Sequence, residues 1–281
     1  GQKPVGFIAN GGSPSANLAL PVYEYEQNFD EIISRSGADT IIITNKLKND
    51  QILVKAIFQM LSRGVTVLEF SALSESVTGK IPLSMIEETW FLENLISLKK
   101  RFYGPAKRWL DIILACLAAI PFMLLFPFIA TAIKIESTGP VFFKQKRVGK
   151  NGKIFELVKY RSTFRTEVGK NDGWGKEESR VYTKTGMFLR KTYLDELPQI
   201  INILRGEMSF IGPRPERPEF MEELNKRTPF YEMRLLVPPG ITGWAQINME
   251  NDAAAKDATL KMQYDLYYVK NRSFFLDLVI H

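Results

Sequence analysis

Apolar and polar positions divide this chain into three stretches of different rhythm. Residues 5–9, 40–44 and 65–70 are short apolar or β-branched runs suited to buried strands, while residues 29–36 and 50–63 carry helical spacing. Gly64 follows the second helical segment, where a glycine commonly closes a helix. Strands alternating with helices predict a parallel, Rossmann-like α/β sheet, incomplete at its start. Residues 112–133 have another character: 22 consecutive positions lack a charged side chain, enough to cross a bilayer. Beyond them, residues 141–143 and 154–159 predict short strands around a turn at 150–153, and residues 166–180 a polar loop. Residues 186–204 have helical spacing with Pro198 as a kink, and helices are expected at 220–227 and 264–270, separated by a Pro-Pro-Gly turn at 238–240. This last part reads as mainly α.

The flanks of the apolar run change its meaning. Lys99, Lys100, Arg101, Lys107 and Arg108 precede it, and Lys134, Lys144, Lys146 and Arg147 follow it. Basic flanks favour the cytoplasmic side, so two of them fit best if both ends lie on one face. Pro121 and Pro127 interrupt the run, and a proline inside a helix removes a backbone donor and bends the axis. The pattern predicts a re-entrant membrane helix over about residues 107–135, with a straight transmembrane helix or a buried core helix as the alternatives.

Charge separates two domains. Residues 1–98 hold 7 Lys+Arg and 11 Asp+Glu, net −4, whereas the other 183 residues hold 30 and 20, net +10. A boundary near Leu98 follows, giving domains 1–98 and 99–281. Residues 99–165 contain 14 basic and 3 acidic side chains around the apolar run. Such a cluster is attracted to anionic membrane lipids by about 1 kcal/mol per Lys or Arg. No recognition-helix, zinc or stacking motif accompanies it, so nucleic acid is not an expected partner. Cys116 is the single cysteine and His281 the single histidine, which excludes a disulfide scaffold and argues against a Ser-His-Asp triad. Chemistry must rest on carboxylates and cations. The chain opens at Gly1 without methionine and stops at His281 inside an apolar pattern, so a fragment of a longer protein is expected.

Asp195 and Glu196 are adjacent carboxylates in this cationic domain. On a helix they point about 100° apart, so they can share a magnesium ion while one faces a reacting phosphorus; the bland alternative is a solvated face. Arg161, Arg190, Arg214 and Arg217 offer planar forks that match phosphate oxygens, and the prolines of residues 213–218 stiffen the backbone beneath Arg214. Residues 240–246 offer backbone donors, a stacking surface in Trp244 and an amide in Gln246. Together these suit a diphosphate substrate. The turn Asn10-Gly11-Gly12-Ser13 after the first strand is a weak nucleotide signal, lacking the full glycine spacing, and a structural or regulatory role is the alternative.

Six ordered motifs carry a resemblance. They are Lys107-Arg108-Trp109-Leu110-Asp111, residues 139–149, Lys159-Tyr160-Arg161-Ser162, Leu194-Asp195-Glu196-Leu197-Pro198-Gln199, Ser209-Phe210-Ile211-Gly212-Pro213-Arg214-Pro215, and residues 239–246. Over residues 105–280 the chain resembles the bacterial sugar transferases, the monotopic polyprenyl-phosphate sugar-1-phosphate transferases. Residues 1–98 resemble the α/β accessory domain of larger, exopolysaccharide-type members. The resemblance implies transfer of a sugar-1-phosphate from a UDP-sugar to undecaprenyl phosphate with release of UMP. It further implies Asp195 as covalent nucleophile, Glu196 as its Mg²⁺-associated partner, and action on the cytoplasmic face of the bacterial inner membrane. A carboxylate nucleophile splits one difficult transfer into two steps, and cations must neutralise the diphosphate it attacks. Oligomeric state stays open, with a homodimer through the accessory domain as one option.

The chain departs from the family pattern in three places. Members commonly carry Ser-Pro at the bend of the membrane helix, where Met123-Leu124 stand here between Pro121 and Pro127. Many have a lysine at the position of Arg161, which leaves that residue a phosphate-binding role and no proton-transfer role. Residues 248–261, with Glu250-Asn251-Asp252, differ from the common Gly-Arg-Asn and bear on sugar choice. Two rival functions remain: a non-catalytic membrane-anchored scaffold of a glycan assembly complex, and an ordinary glycosyltransferase releasing UDP.

Overall fold

The computed structural model describes residues 3–9, 20–24, 29–44, 51–95, 102–164, 181–249 and 257–281. The chain forms two compact units, Gly1–Thr78 and Gly79–His281. In the first, β1 (Phe7–Ala9) pairs in parallel with β2 (Val22–Glu24), and β3 (Thr40–Ile43) with β4 (Thr66–Glu69). A parallel pair needs a crossover, and α2 (Gln51–Leu61) supplies it between β3 and β4. It packs Leu53 and Met60 onto Ile41 and Val65. Helix α1 (Phe29–Ser36) stands where its spacing predicts. Two elements escaped the hydrophobic pattern. Strand β2 is three residues long, and α3 (Phe70–Thr78) starts at the residue after β4, so its first residue reads as strand. Among the described residues the strands form two separate parallel pairs. The Asn10-Gly11-Gly12-Ser13 turn lies outside the described residues.

The second unit begins ahead of the charge step at Leu98. Ile81, Leu83, Ile86, Trp90 and Phe91, the last two on α4 (Glu88–Leu95), are buried in one core cluster with Leu224, Tyr231, Met262 and Leu266. Surface charge and packing therefore place the boundary differently, because net charge records exposed side chains while packing follows buried ones. Strands β5 (Phe142–Val148) and β6 (Ile154–Tyr160) form an antiparallel hairpin, with Asn151 at φ 56° in its turn. Asparagine tolerates this left-handed conformation better than most residues. The segment expected as one kinked helix over 186–204 is three pieces: α6 (Lys184–Lys191), a 3₁₀ turn at Leu194–Gln199 and α7 (Ile200–Arg205). The break falls at Tyr193, which has φ 58°, rather than at Pro198. A short parallel pair, β7 (Ser209–Ile211) with β8 (Gly240–Thr242), joins two of the motifs. A Cβ on Gly240 would lie 2.1 Å from the Gly212 nitrogen, so only glycine permits this approach. Helices α8 (Pro218–Arg227), α9 (Trp244–Asn248), α10 (Ala258–Asn271) and α11 (Phe274–Ile280) complete the unit. The polar loop expected over 166–180 and the segment 250–256 lie outside the described residues.

Helix α5 (Tyr103–Glu136) contains the apolar run and is 34 residues long. It is long and apolar enough to cross a membrane. Pro121 and Pro127 lie inside it, and hydrogen bonding continues past both, so neither ends the helix. Both are exposed. Asp111, Ala115, Ile129 and Ile133 are buried along one face, with Phe122 and Phe126 packed between them. Trp109, Ile113, Leu117, Ile120, Leu124 and Phe128 are exposed opposite. Both ends are tied to the same unit. At the start, Lys107 pairs with Asp277 at 2.9 Å and Arg108 donates to the Leu204 carbonyl at 2.8 Å. At the end, Glu136 accepts from the Lys184 and Thr185 amides at 2.6 and 2.8 Å.

Candidate active site

Tyr193 sets the site up. Its left-handed backbone, unfavourable by about 1–2 kcal/mol for an L-residue, turns the chain out of α6 and into the 3₁₀ turn that carries Asp195 and Glu196. Adjacent side chains on a 3₁₀ turn point about 120° apart, so the two carboxylates enter different surroundings. Strand β6 lies beneath this turn and the Arg214 loop beside it. Lys159 Nζ meets Glu196 Oε1 at 2.6 Å, and Arg214 Nη2 meets the same oxygen at 3.0 Å.

The consequence is electrostatic. Burial alone would raise the Glu196 pKa, but the charges of Arg214 and Lys159 and their hydrogen bonds outweigh it and bring it down to about 2. Asp195 shifts the other way. Burial dominates and raises its pKa, Glu196 adds to the rise, and the cations Lys159, Arg190 and Arg214 only partly oppose it. The Asp195 residue is 8% exposed, and among the described residues no hydrogen bond reaches its carboxylate. Lys159 is lowered by burial and by Arg214, against the pull of Glu196. One carboxylate is thus clamped as an anion, and no protein donor among the described residues ties its neighbour.

The structure gathers Asp195, Glu196, Arg190 and Arg214, and it adds Lys159, which sequence reading passed over. Arg190 also lies over the Tyr182 ring, 4.7 Å from its centroid. A signal for Lys159 existed: it is a cation inside the strand-like run Leu157-Val158-Lys159-Tyr160. Arg161, two positions on, does something else. It is 6% exposed and donates to the Ser137 and Thr138 carbonyls at 2.7 and 2.8 Å, just past the end of α5, where the last carbonyls of a helix lack partners. Main-chain carbonyls hold the Arg161 fork, and it is Lys159 that stands against Glu196. Arg217 stays outside the gathered group: its Nε is 3.4 Å from Glu219 and its guanidinium covers the Phe220 ring. Gln246 donates to the Ile241 carbonyl at 3.1 Å. Trp244 is a packing residue, stacked on Tyr267 and donating to the Gly79 carbonyl at 2.6 Å. The Gly240 amide is taken by the Pro213 carbonyl at 3.0 Å, so these donors brace one motif against another.

Residues 102–281 match the model of the bacterial sugar transferase family. The chain belongs to that family. The matched region holds helix α5 and every residue gathered around Asp195. Among the relatives of this bacterial sugar transferase is the UDP-N-acetylgalactosamine-undecaprenyl-phosphate N-acetylgalactosaminephosphotransferase of Aeromonas hydrophila. It is 38% identical over 216 residues, which are 77% of this chain and 50% of the relative. The UDP-glucose:undecaprenyl-phosphate glucose-1-phosphate transferase of Escherichia coli (strain K12) is 41% identical over 177 residues, 62% of this chain and 38% of that protein. The uncharacterized sugar transferase EpsL of Bacillus subtilis is 44% identical over 172 residues, 60% of this chain and 78% of EpsL. The chain spans half or less of the length of the first two.

Among the described residues no three or more metal-ligating side chains gather, so only the Asp195–Glu196 pair is available to an ion here. Magnesium is usually held by one or two carboxylates, with substrate phosphates and waters supplying the rest. Asp195 offers a buried carboxylate without a hydrogen-bond donor, and Glu196 stands beside it, kept anionic.

Proposed function

We propose that this protein transfers a sugar-1-phosphate from a UDP-sugar to undecaprenyl phosphate, releasing UMP, with Asp195 as the nucleophile. The single observation that carries this reading is the opposed environment of the two adjacent carboxylates. Glu196 is locked by Lys159 and Arg214, while Asp195 beside it faces the same cations without being tied to one. An Asp195 oxygen attacks the β-phosphorus, the bond from that phosphorus to the bridging oxygen breaks, and UMP departs. An oxygen of the lipid phosphate then attacks the same phosphorus and the Asp195 carboxylate is regenerated. Lys159, Arg190 and Arg214 neutralise the diphosphate as charge shifts toward the leaving phosphate. When bound, Mg²⁺ at Asp195 and Glu196 would add Lewis-acid neutralisation of the diphosphate.

The membrane part of the proposal is that α5 dips into the cytoplasmic leaflet of the bacterial inner membrane and returns to the same face. Its two ends are tied to one unit, which supports this reading over a crossing. Its exposed apolar face would meet the acyl chains. Residues 1–98 are read as a Rossmann-like accessory domain, on the strength of the β3–α2–β4 unit. The relatives' names support the substrate classes, and they differ in the sugar, so the sugar is left to experiment.

The test is direct. The protein in detergent or nanodiscs is incubated with Mg²⁺, undecaprenyl phosphate and a panel of UDP-glucose, UDP-galactose, UDP-N-acetylglucosamine and UDP-N-acetylgalactosamine. UMP release with one or more of these is expected. Release of UDP would indicate an ordinary glycosyltransferase, and release of neither a scaffold.

A further inference from the structure

Behind the site, the loop that carries Arg214 is held by its carbonyls. Pro213 and Pro215 have no N–H, which limits what the loop can donate. Four consecutive carbonyls are each taken by a donor from elsewhere. Pro213 accepts from the Gly240 amide at 3.0 Å, and Glu216 from the Val148 amide at 2.9 Å. Arg214 accepts from Arg234 Nη2 at 2.7 Å, and Pro215 from Arg147 Nη1 at 2.9 Å. Arg234 is 2% exposed. Its guanidinium also meets Asp265 at 2.8 Å, the Tyr231 hydroxyl at 3.0 Å and Glu216 at 3.4 Å. Lys261 binds Glu216 as well, so two buried cations face two buried carboxylates.

None of these four charges is among the residues gathered at Asp195. As a stabilising device the cluster is poor, since desolvation offsets much of the attraction between buried ions, and apolar packing of equal volume often does as well. A guanidinium can do what an apolar side chain cannot: fix the direction of a main-chain carbonyl through a planar, pre-oriented fork. The geometry points to Arg234 as a positioning residue for Arg214. Asp265 and Glu216 orient the Arg234 guanidinium, which holds the Arg214 carbonyl and thereby sets the approach of the Arg214 side chain to Glu196. This inference rests on the reading of Asp195, Glu196 and Arg214 as the catalytic centre.

The test uses the full chain with Mg²⁺, undecaprenyl phosphate and the UDP-sugar of the panel that it turns over best. Arg234→Lys and Asp265→Asn are each made alone and in combination with Arg214→Ala, and kcat, KM and Tm are measured. Either substitution alone is expected to lower kcat roughly 10-fold or more, with KM changed by less than about 3-fold and cooperative unfolding retained. In the Arg214→Ala background the same change should lower kcat less than about 2-fold, because residues acting through one another are not additive. Equal losses in both backgrounds would overturn the inference. So would failure of both Arg234→Lys and Asp265→Asn to fold, since the cluster would then be a folding element only. If Arg214→Ala by itself leaves turnover intact, the reading of the centre fails first, and the inference with it.

Discussion

Two ion clusters in the same unit are built for opposite ends. Around Glu216, two carboxylates and two cations are matched and buried, and the pKa of Glu216, which burial would raise, is brought down to about 2 by Lys261 and Arg234. Around Glu196, two cations converge on one carboxylate, and the neighbouring Asp195 is left buried with its pKa raised. In the first arrangement burial also raises the pKa of one carboxylate, Asp265, but the Arg234 guanidinium meets it at 2.8 Å. The second leaves one group looking for a partner from outside, which is the condition of a nucleophile or a metal ligand. Desolvation acts on both clusters; what separates them is whether the surrounding cations are bound to the carboxylate or only near it.

The sharpest way to break this contrast is at Asp195. Asp195→Asn should lower UMP release by roughly 10³-fold or more. It should leave Tm unchanged or slightly higher, because a carboxylate whose folded pKa is raised opposes folding once it ionises. Substantial turnover in that variant would remove Asp195 from the chemistry. Arg214→Ala comes next, with kcat expected to fall roughly 10²- to 10³-fold, as for loss of one group that stabilises developing charge. Unaltered kcat would mean that Arg214 only balances Glu196.

In the other cluster the effect should appear as stability. Glu216→Ala leaves Lys261 and Arg234 facing a single carboxylate, and loss of about 3–5 kcal/mol in denaturant unfolding is expected. A loss below about 1 kcal/mol would place the cluster with ordinary surface pairs. Arg161→Met should cost about 1–3 kcal/mol by removing a buried guanidinium that binds the Ser137 and Thr138 carbonyls past the end of α5, while KM for the UDP-sugar stays put. A large rise in KM would support the phosphate-binding role expected from sequence. The smallest effect is on pH. Glu196 and Glu216 have pKa values lowered from 4.5 to about 2, so their stabilisation is complete above 4.5 and is lost as pH falls toward 2. Urea midpoints across that window should fall, and less steeply in Glu196→Gln.

Much of the fold was legible in the hydrophobic pattern, and the reasons for the rest are specific. Strands β1, β3, β4, β5 and β6 and helices α1, α2, α8 and α10 stand where period and turn residues put them, although β5 runs five residues further and α10 starts six residues earlier than expected. The break at Tyr193 was invisible because the apolar spacing runs on through it and a tyrosine gives no turn signal, whereas Pro198, which does, sits quietly inside the 3₁₀ turn. Trp244 looked available to stack on a ligand; the Gly79 carbonyl that claims its N–H is 165 positions away.

The site shows the same division. Residue types alone pointed to carboxylates and cations, since the sequence holds one histidine, His281, and one cysteine, which lies in α5. Local spacing imposed the adjacency of Asp195 and Glu196 and the long apolar helix. What spacing could not reach was which cation meets which anion. Lys159 lies 37 positions from Glu196 and Arg214 lies 18 positions from it, on separate elements. Their convergence, and with it the split between a clamped and an unsatisfied carboxylate, depends on how β6, the 3₁₀ turn and the Arg214 loop pack. A charge acts over a few ångströms of space regardless of distance along the chain, so only the folded arrangement could assign Arg161 to the end of a helix and Lys159 to the site.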